Sequence, residues 1–246
     1  MAMKKSWLHS VGLVAMAAAS IASGAEGVTP PQTLQPYKVR YQASYRGLSG
    51  GQIEATLKRG ASPDLWIYET RAFPNLLGRI AISPAARERS TILIDASGVH
   101  PLTFDFNDGG TDPTKYIKHT FDWPANRVQG VAKGKSFAFD VTPGTQDTAS
   151  VQAAMIVELL AGHSPTGFSL LSGHDLHDYR YWSEGKRQVV TPYGQLEAEV
   201  WASQRPGSNR ISRVWHAPSL GYLPVQAIQF RKGNPEIQLK MVSLER

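Results

Sequence analysis

The 246 residues contain no cysteine. Disulfides, thiolate metal sites, a cysteine nucleophile and thiol redox chemistry are therefore excluded, and a lipid anchor carried on a cysteine is not expected. No run of Lys or Arg exceeds two residues although the formal charge is +6, so no nucleic-acid-binding arm is predicted. Neither G-x-x-x-x-G-K-[ST] nor G-x-G-x-x-G occurs, which removes the common phosphate-cradling loops. H-E-x-x-H is also missing, and no G-x-S-x-G lies between a predicted strand and a helix, which removes the simplest zinc-protease and lipase-type sites. Beyond residue 25 no apolar stretch approaches the roughly 20 residues that a membrane-spanning helix needs.

What is present begins with the first 25 residues. Met1 to Lys5 form a short basic start, Leu8 to Ile21 is mostly small and apolar, and Ser23 and Ala25 supply the small residues of a cleavage site. This three-part pattern predicts a secretory signal peptide over 1–25, cut near Ala25, and hence a soluble periplasmic protein. Residues 26–36 (EGVTPPQTLQP) are Pro-rich and lack periodicity, so they predict a mobile leader. Residues 37–246 then predict a single β-rich domain, large enough to bury a core without cross-links. Removing Lys4 and Lys5 with the signal peptide leaves a formal charge of +4 (6 − 2), a modest bias toward anionic envelope components.

From Tyr37 the chain alternates. Tyr37, Val39, Tyr41, Ala43 and Tyr45 interleave with polar residues, Gly47–Gly51 predicts a turn, and Ile53, Ala55 and Leu57 resume the period of two. This pattern predicts an antiparallel hairpin. Further strands are predicted near 64–72, 87–95, 99–106, 115–122, 127–132, 136–142, 175–183, 186–191, 195–204, 210–217, 222–231 and 236–244. Breakers such as Glu184-Gly185-Lys186 lie between them. Their spacing suits a meander rather than βαβ units. A helix or turn is predicted at 74–82. Asp147–Gly162 is different: it has helix formers, an Asp or Thr able to cap its start and a Gly at its end. Val151, Ala154, Met155, Leu159 and Gly162 share one face, which Ile156 and Leu160 widen. So apolar a helix must be buried, and the sheet is the surface available to cover it. The expected architecture is mainly β: a long curved antiparallel sheet, a half-barrel, with one central helix packed on its concave face.

Candidate chemistry is sparse. Ser49 in Gly47–Gly51 has no recognisable His partner motif, and a hairpin turn is the simpler reading. His174 and His177 are three apart on a predicted strand and so point to opposite faces, which prevents them from sharing a metal ion. Asp108 sits in a Gly-rich turn among Asp105, Asp112 and Asp122. No catalytic residue, cofactor or metal site is assigned. Aromatics on a curved sheet can line an apolar groove, and Tyr41, Tyr45, Trp66, Met155 and Leu159 are the candidate lining residues.

In the C-terminal half, Thr191-Pro192-Tyr193-Gly194, Arg213-Val214-Trp215-His216-Ala217-Pro218, Gly221-Tyr222-Leu223-Pro224-Val225 and a last strand ending at Leu244 form a recognisable set. Together with Tyr45-Arg46-Gly47, Gly50-Gly51 and the Asp147–Ser150 helix start, they resemble the exported bacterial domain-of-unknown-function family 3108 over roughly 37–244. The family's architecture is similar to that of periplasmic lipoprotein carriers. The resemblance implies, by fold analogy, an apolar cavity between sheet and helix, and transfers no catalytic residue. The expected function is binding or carrying a hydrophobic or anionic lipid of the cell envelope. One alternative is an envelope assembly factor that acts through a protein partner and holds no small ligand. A second is a hydrolase of envelope polymers, which requires His174, His177 or paired acids to converge.

Overall fold

The computed structural model describes residues 33–80 and 82–246. The predicted signal peptide and most of the predicted leader lie outside them. Of the leader, residues 33–36 are described, and Leu34 packs against the main core.

Fifteen strands follow in order: β1 (Tyr37–Tyr45), β2 (Leu48–Arg59), β3 (Leu65–Pro74), β4 (Arg87–Asp95), β5 (Gly98–Asn107), β6 (Ile117–Asp122), β7 (Arg127–Ala132), β8 (Lys135–Asp140), β9 (Gln146–Asp147), then the helix α1 (Ser150–Leu160), β10 (Gly167–Ser172), β11 (Asp175–Thr191), β12 (Gly194–Gln204), β13 (Arg210–Ala217), β14 (Leu223–Arg231) and β15 (Asn234–Glu245). They form one sheet in the order β8-β7-β6-β5-β4-β3-β2-β1-β15-β14-β13-β12-β11-β10-β9. The chain meanders outward from β1 to β8, crosses over through α1, and meanders back until β15 closes on β1. Every pairing is antiparallel except the short parallel contact of β9 with β10. The architecture is the predicted large, open, curved antiparallel sheet with, among the described residues, one α-helix.

Alternation dictates the curvature. Inward-facing residues repeat across the strands as paired neighbours. One row runs Trp201–Val214–Ala227–Leu239–Ala43 through β12, β13, β14, β15 and β1. The sheet rolls until its two outer parts overlap without pairing edge to edge. The Gln146 side chain donates to the Val99 carbonyl at 2.8 Å, and the turn after β10 seats on β6 through His119 and the Gly173 carbonyl at 2.6 Å. Leu171 of β10 then shares a core with Phe121 and Val128. The helix packs against β4, β5 and β9, burying Val151, Ala153, Ala154, Met155, Ile156 and Leu159.

The structure departs from the predicted pattern in three places, each with a local cause. The first turn is Arg46-Gly47, with φ of 48° and 82°, the geometry of a two-residue hairpin turn. Residues 48–51, expected in the turn, belong to β2. Gly51 has φ +118°, and a Cβ there would sit 2.3 Å from the Phe73 carbonyl oxygen and 2.6 Å from the Asn75 amide. Glycine is required here by a close backbone approach. Gly51→Ala should cost about 1–3 kcal/mol, measured by urea unfolding. The second departure is β11, one 17-residue strand in which the expected break at Glu184-Gly185-Lys186 is a bulge. The third is β9 and β10, which carried no period-two signal. Leu170 and Leu171 are both buried, one on each face, and a strand covered on both sides does not alternate. The predicted helix or turn near 74–82 contains a short 3-10 turn, Gly78–Ile80.

Two buried histidines set the acid limit. His119 is stacked on Phe104, and since the Gly173 oxygen only accepts, its Nε2 carries the proton. His216 donates from Nδ1 to the Tyr222 carbonyl at 2.8 Å. Burial holds both down to about 4, against the upward pull of those hydrogen bonds. Unfolded histidine titrates near 6.5, so the unfolded chain takes up protons that the fold refuses. Stability should fall as pH drops from 6.5 toward 4, by roughly 3 kcal/mol per histidine over that window. His216→Gln should shift the acid limb of a pH–melting curve to lower pH.

Candidate ligand cavity

Between α1 and the concave face lies a cavity of about 470 Å³. Val151, Gln152 and Met155 line it from the helix, and Tyr41, Ile53, Ala55, Trp201, Val214, Ala227 and Leu239 line it from the sheet. The spacing of Val151 and Met155, one helical turn apart, presents both side chains to this space. Its wall is therefore largely aliphatic and aromatic.

Polar groups, among them Gln152, His216 and Gln229, interrupt the apolar wall, and several of them are paired. On β3 and β4, Thr70 and Glu88 are cross-strand neighbours. Thr148 donates to one Glu88 carboxylate oxygen at 2.5 Å, and Thr70 to the other at 3.4 Å. Burial pushes the Glu88 carboxyl above its ordinary range, while the bonds from Thr148 and Thr70 pull it down. Tyr68, on the same wall, is pushed far above its usual range by burial and by the nearby Glu88 charge. On β13, Arg213 reaches the cavity while its Nε donates to both oxygens of Glu184, at 2.8 and 3.0 Å. Ser203 and Ser212 add hydroxyls. This arrangement can shelter an apolar chain and offer hydroxyls, a carboxyl and a guanidinium to a polar end.

The helix start is fixed by Asp147. Its Oδ1 accepts from the amides of Ala149 and Ser150 at 2.8 and 2.7 Å, and its Oδ2 accepts from the Ser90 hydroxyl at 2.6 Å. One carboxylate thereby holds the first amides of α1 and ties the helix start to β4.

Of the candidates read from sequence, Tyr41 and Met155 come together in this wall. The Tyr41 hydroxyl donates to the Pro224 carbonyl at 2.8 Å, so only its ring is free to meet a ligand. Leu159 lies one turn beyond Met155 and packs with it against Trp201. Trp66 and Tyr45 do not line the cavity. Trp66 is buried in the main core with the Arg59 guanidinium over its ring at 4.3 Å. Tyr45 is 51% exposed beside the first turn. His174 lies beside Asp175 in a turn and His177 beside Arg205. Among the described residues no group of three or more His, Asp or Glu side chains gathers where it could hold a metal ion. Glu88, Thr70, Thr148, Trp201 and Arg213 were missed. Each is an ordinary strand or loop residue until the strand register places it on the inner face.

The fold has relatives. A beta-barrel-like protein of the DUF1849 domain of unknown function from Brucella abortus is similar over 86% of this chain and 98% of its own, with TM-score 0.55 and 13% identity. A protein described as exported, with a YmcC-like fold, from Bacteroides fragilis covers 87% of this chain and 97% of its own at TM-score 0.40 and 10% identity. The sequence matches no curated protein. Among the described residues no helix is long and apolar enough to cross a membrane. The family model of DUF3108, a protein family of unknown function, matches residues 36–241, and the chain belongs to that family.

Proposed function

We propose that this is an exported, periplasmic protein that binds or carries a hydrophobic component of the cell envelope with an acyl-type chain. The observation that carries the reading is the cavity of about 470 Å³ between α1 and the sheet, a volume within the range of small-molecule sites. An aliphatic tail would lie against Met155, Val151, Ala227 and Leu239. Esters, amides or hydroxyls at its polar end would meet the hydroxyls of Thr70 and Ser212, the Glu88 carboxyl and Arg213.

The test is native mass spectrometry of the protein recovered from the periplasm of its own host, followed by solvent extraction. A lipid at near-unit occupancy, identified in the extract, is the expected result. A bare polypeptide mass that stays bare after incubation with fatty acids and phospholipids would refute the proposal.

A further inference from the structure

One end of the sheet carries a second feature, beside the cavity, with Ile237 common to both. Ile237, Tyr45 and Leu48 are successive cross-strand neighbours on β15, β1 and β2, and they are 43%, 51% and 67% exposed. The chain after β3 is fastened beside them. The Asn75 amide donates to the Gly50 carbonyl at 3.1 Å and its side chain to the Ser49 carbonyl at 2.9 Å. Gly78 lies so close that a Cβ there would meet the Gly50 oxygen at 1.9 Å. This docking leaves Leu76, Leu77 and Ile80 projecting outward, 84%, 60% and 85% exposed. Large aliphatic side chains, contiguous and this exposed, mark a contact surface.

Cations border the same end. A recess of about 940 Å³ is lined by Arg46, Arg231 and Lys232 and shares Ile237 with the cavity wall. At its floor Arg46, Arg231 and Arg210 surround the single Glu236 carboxylate at 3.3, 3.4 and 3.7 Å. Four positive groups around one negative group leave an excess of three. Arg79 adds another between Leu77 and Ile80.

We infer that this rim docks on an anionic membrane surface. Leu76, Leu77 and Ile80 enter the boundary between headgroups and acyl chains, while Arg46, Arg79, Arg231 and Lys232 meet lipid phosphates. Projecting aliphatic side chains beside unneutralised cations are the combination that interfacial binding uses. A protein partner would need an acidic face with apolar pockets matched to Leu76, Leu77 and Ile80, whereas an anionic bilayer offers phosphates above a deformable apolar interior that needs no such match. The inference does not depend on the cavity being occupied.

The experiment is co-sedimentation of the exported protein with phosphatidylcholine vesicles, with and without phosphatidylglycerol. Wild type should bind the anionic vesicles more than ~10-fold more tightly than the neutral ones, and lose that preference in about 1 M salt, where the Debye length shrinks to about 3 Å. The double variant Leu76→Ser, Ile80→Ser should lose binding with its melting temperature unchanged, because both side chains are exposed. Arg79→Gln with Lys232→Gln should weaken binding to anionic vesicles only. A cavity-filled variant, Ala227→Trp, should sediment like wild type, which separates docking at the rim from uptake of a lipid. Failure of wild type to sediment, or undiminished binding by the Leu76/Ile80 variant, would overturn the inference. So would cross-linking from position 80 to an envelope protein in place of lipid.

Discussion

Ala227→Trp should abolish ligand binding while leaving the protein folded. Ala227 lies in the middle of the inward row Trp201–Val214–Ala227–Leu239 and forms part of the cavity wall. An indole added there projects into existing space. The 1–3 kcal/mol that overpacking costs in a filled core should therefore be largely avoided, and the melting temperature should move by only a few degrees. An acyl chain would meet the indole along its length. We expect affinity to fall more than ~100-fold, about 2.8 kcal/mol, with the lipid missing from native mass spectra of the variant. Retained lipid at wild-type occupancy would show that the ligand sits elsewhere. Glu88→Gln offers a finer reading of the same site. Removing the ionisable carboxyl while keeping a hydrogen-bonding group should change binding and its pH dependence by less than the tryptophan does.

The largest effect on stability is expected at Asp147. The residue is fully buried, and Asp147→Ala strips the acceptor from three donors at once: the Ser90 hydroxyl and the amides of Ala149 and Ser150. Each buried donor left unpaired costs about 1–3 kcal/mol. Part of that loss is offset because a buried carboxylate disappears, so we expect a net destabilisation of about 3–5 kcal/mol by urea unfolding. Asp147→Asn keeps an oxygen for the two amides and should recover much of it.

The same residue gives wild type a pH dependence. Burial pushes the Asp147 carboxyl up to about 7, against the pull of Ser90, Ser150 and Ala149, and the nearby Glu88 charge adds to the rise. Unfolded aspartate titrates near 3.9. Above pH 7 the fold therefore bears the full cost of a buried charge, and on acidification it takes up a proton before the unfolded chain does. From Asp147 alone the fold should gain roughly 0.8 kcal/mol between pH 8 and pH 6.5, and the two buried histidines together take back about as much over the same window. The two effects balance near pH 7, which places maximum stability near that pH, and below it the buried histidines dominate. Asp147→Asn should flatten the alkaline side alone, and an unchanged slope there would remove Asp147 as its source.

Most of the fold was legible because its signals are local. Alternation in Tyr37–Tyr45 marked a half-buried strand, and the bounds of β4, β7 and β13 follow from their breakers. The apolar run after Asp147 marked a buried helix. What could not be read there depends on pairing. Leu170 and Leu171 look the same as a loop or a helix fragment until both faces of β10 are covered. Gly50-Gly51 reads as a turn until the loop after β3 packs against it. Tyr45 and Trp66 share a pattern with Tyr41, but one falls at the open end of its strand and the other beneath Arg59.

Side-chain chemistry along the chain was sufficient for a cysteine-free, mainly β domain with one buried helix among the described residues, because period, breakers and composition act over a few residues. Which face each strand turns inward, how far the sheet rolls, and whether the helix fills the concavity or leaves room beside it all depend on long-range register. Glu88 meets Thr148 and Arg213 meets Glu184 only after that register is set. The cavity and the basic, apolar rim are consequences of tertiary structure, since each draws its residues from strands that lie far apart in the chain.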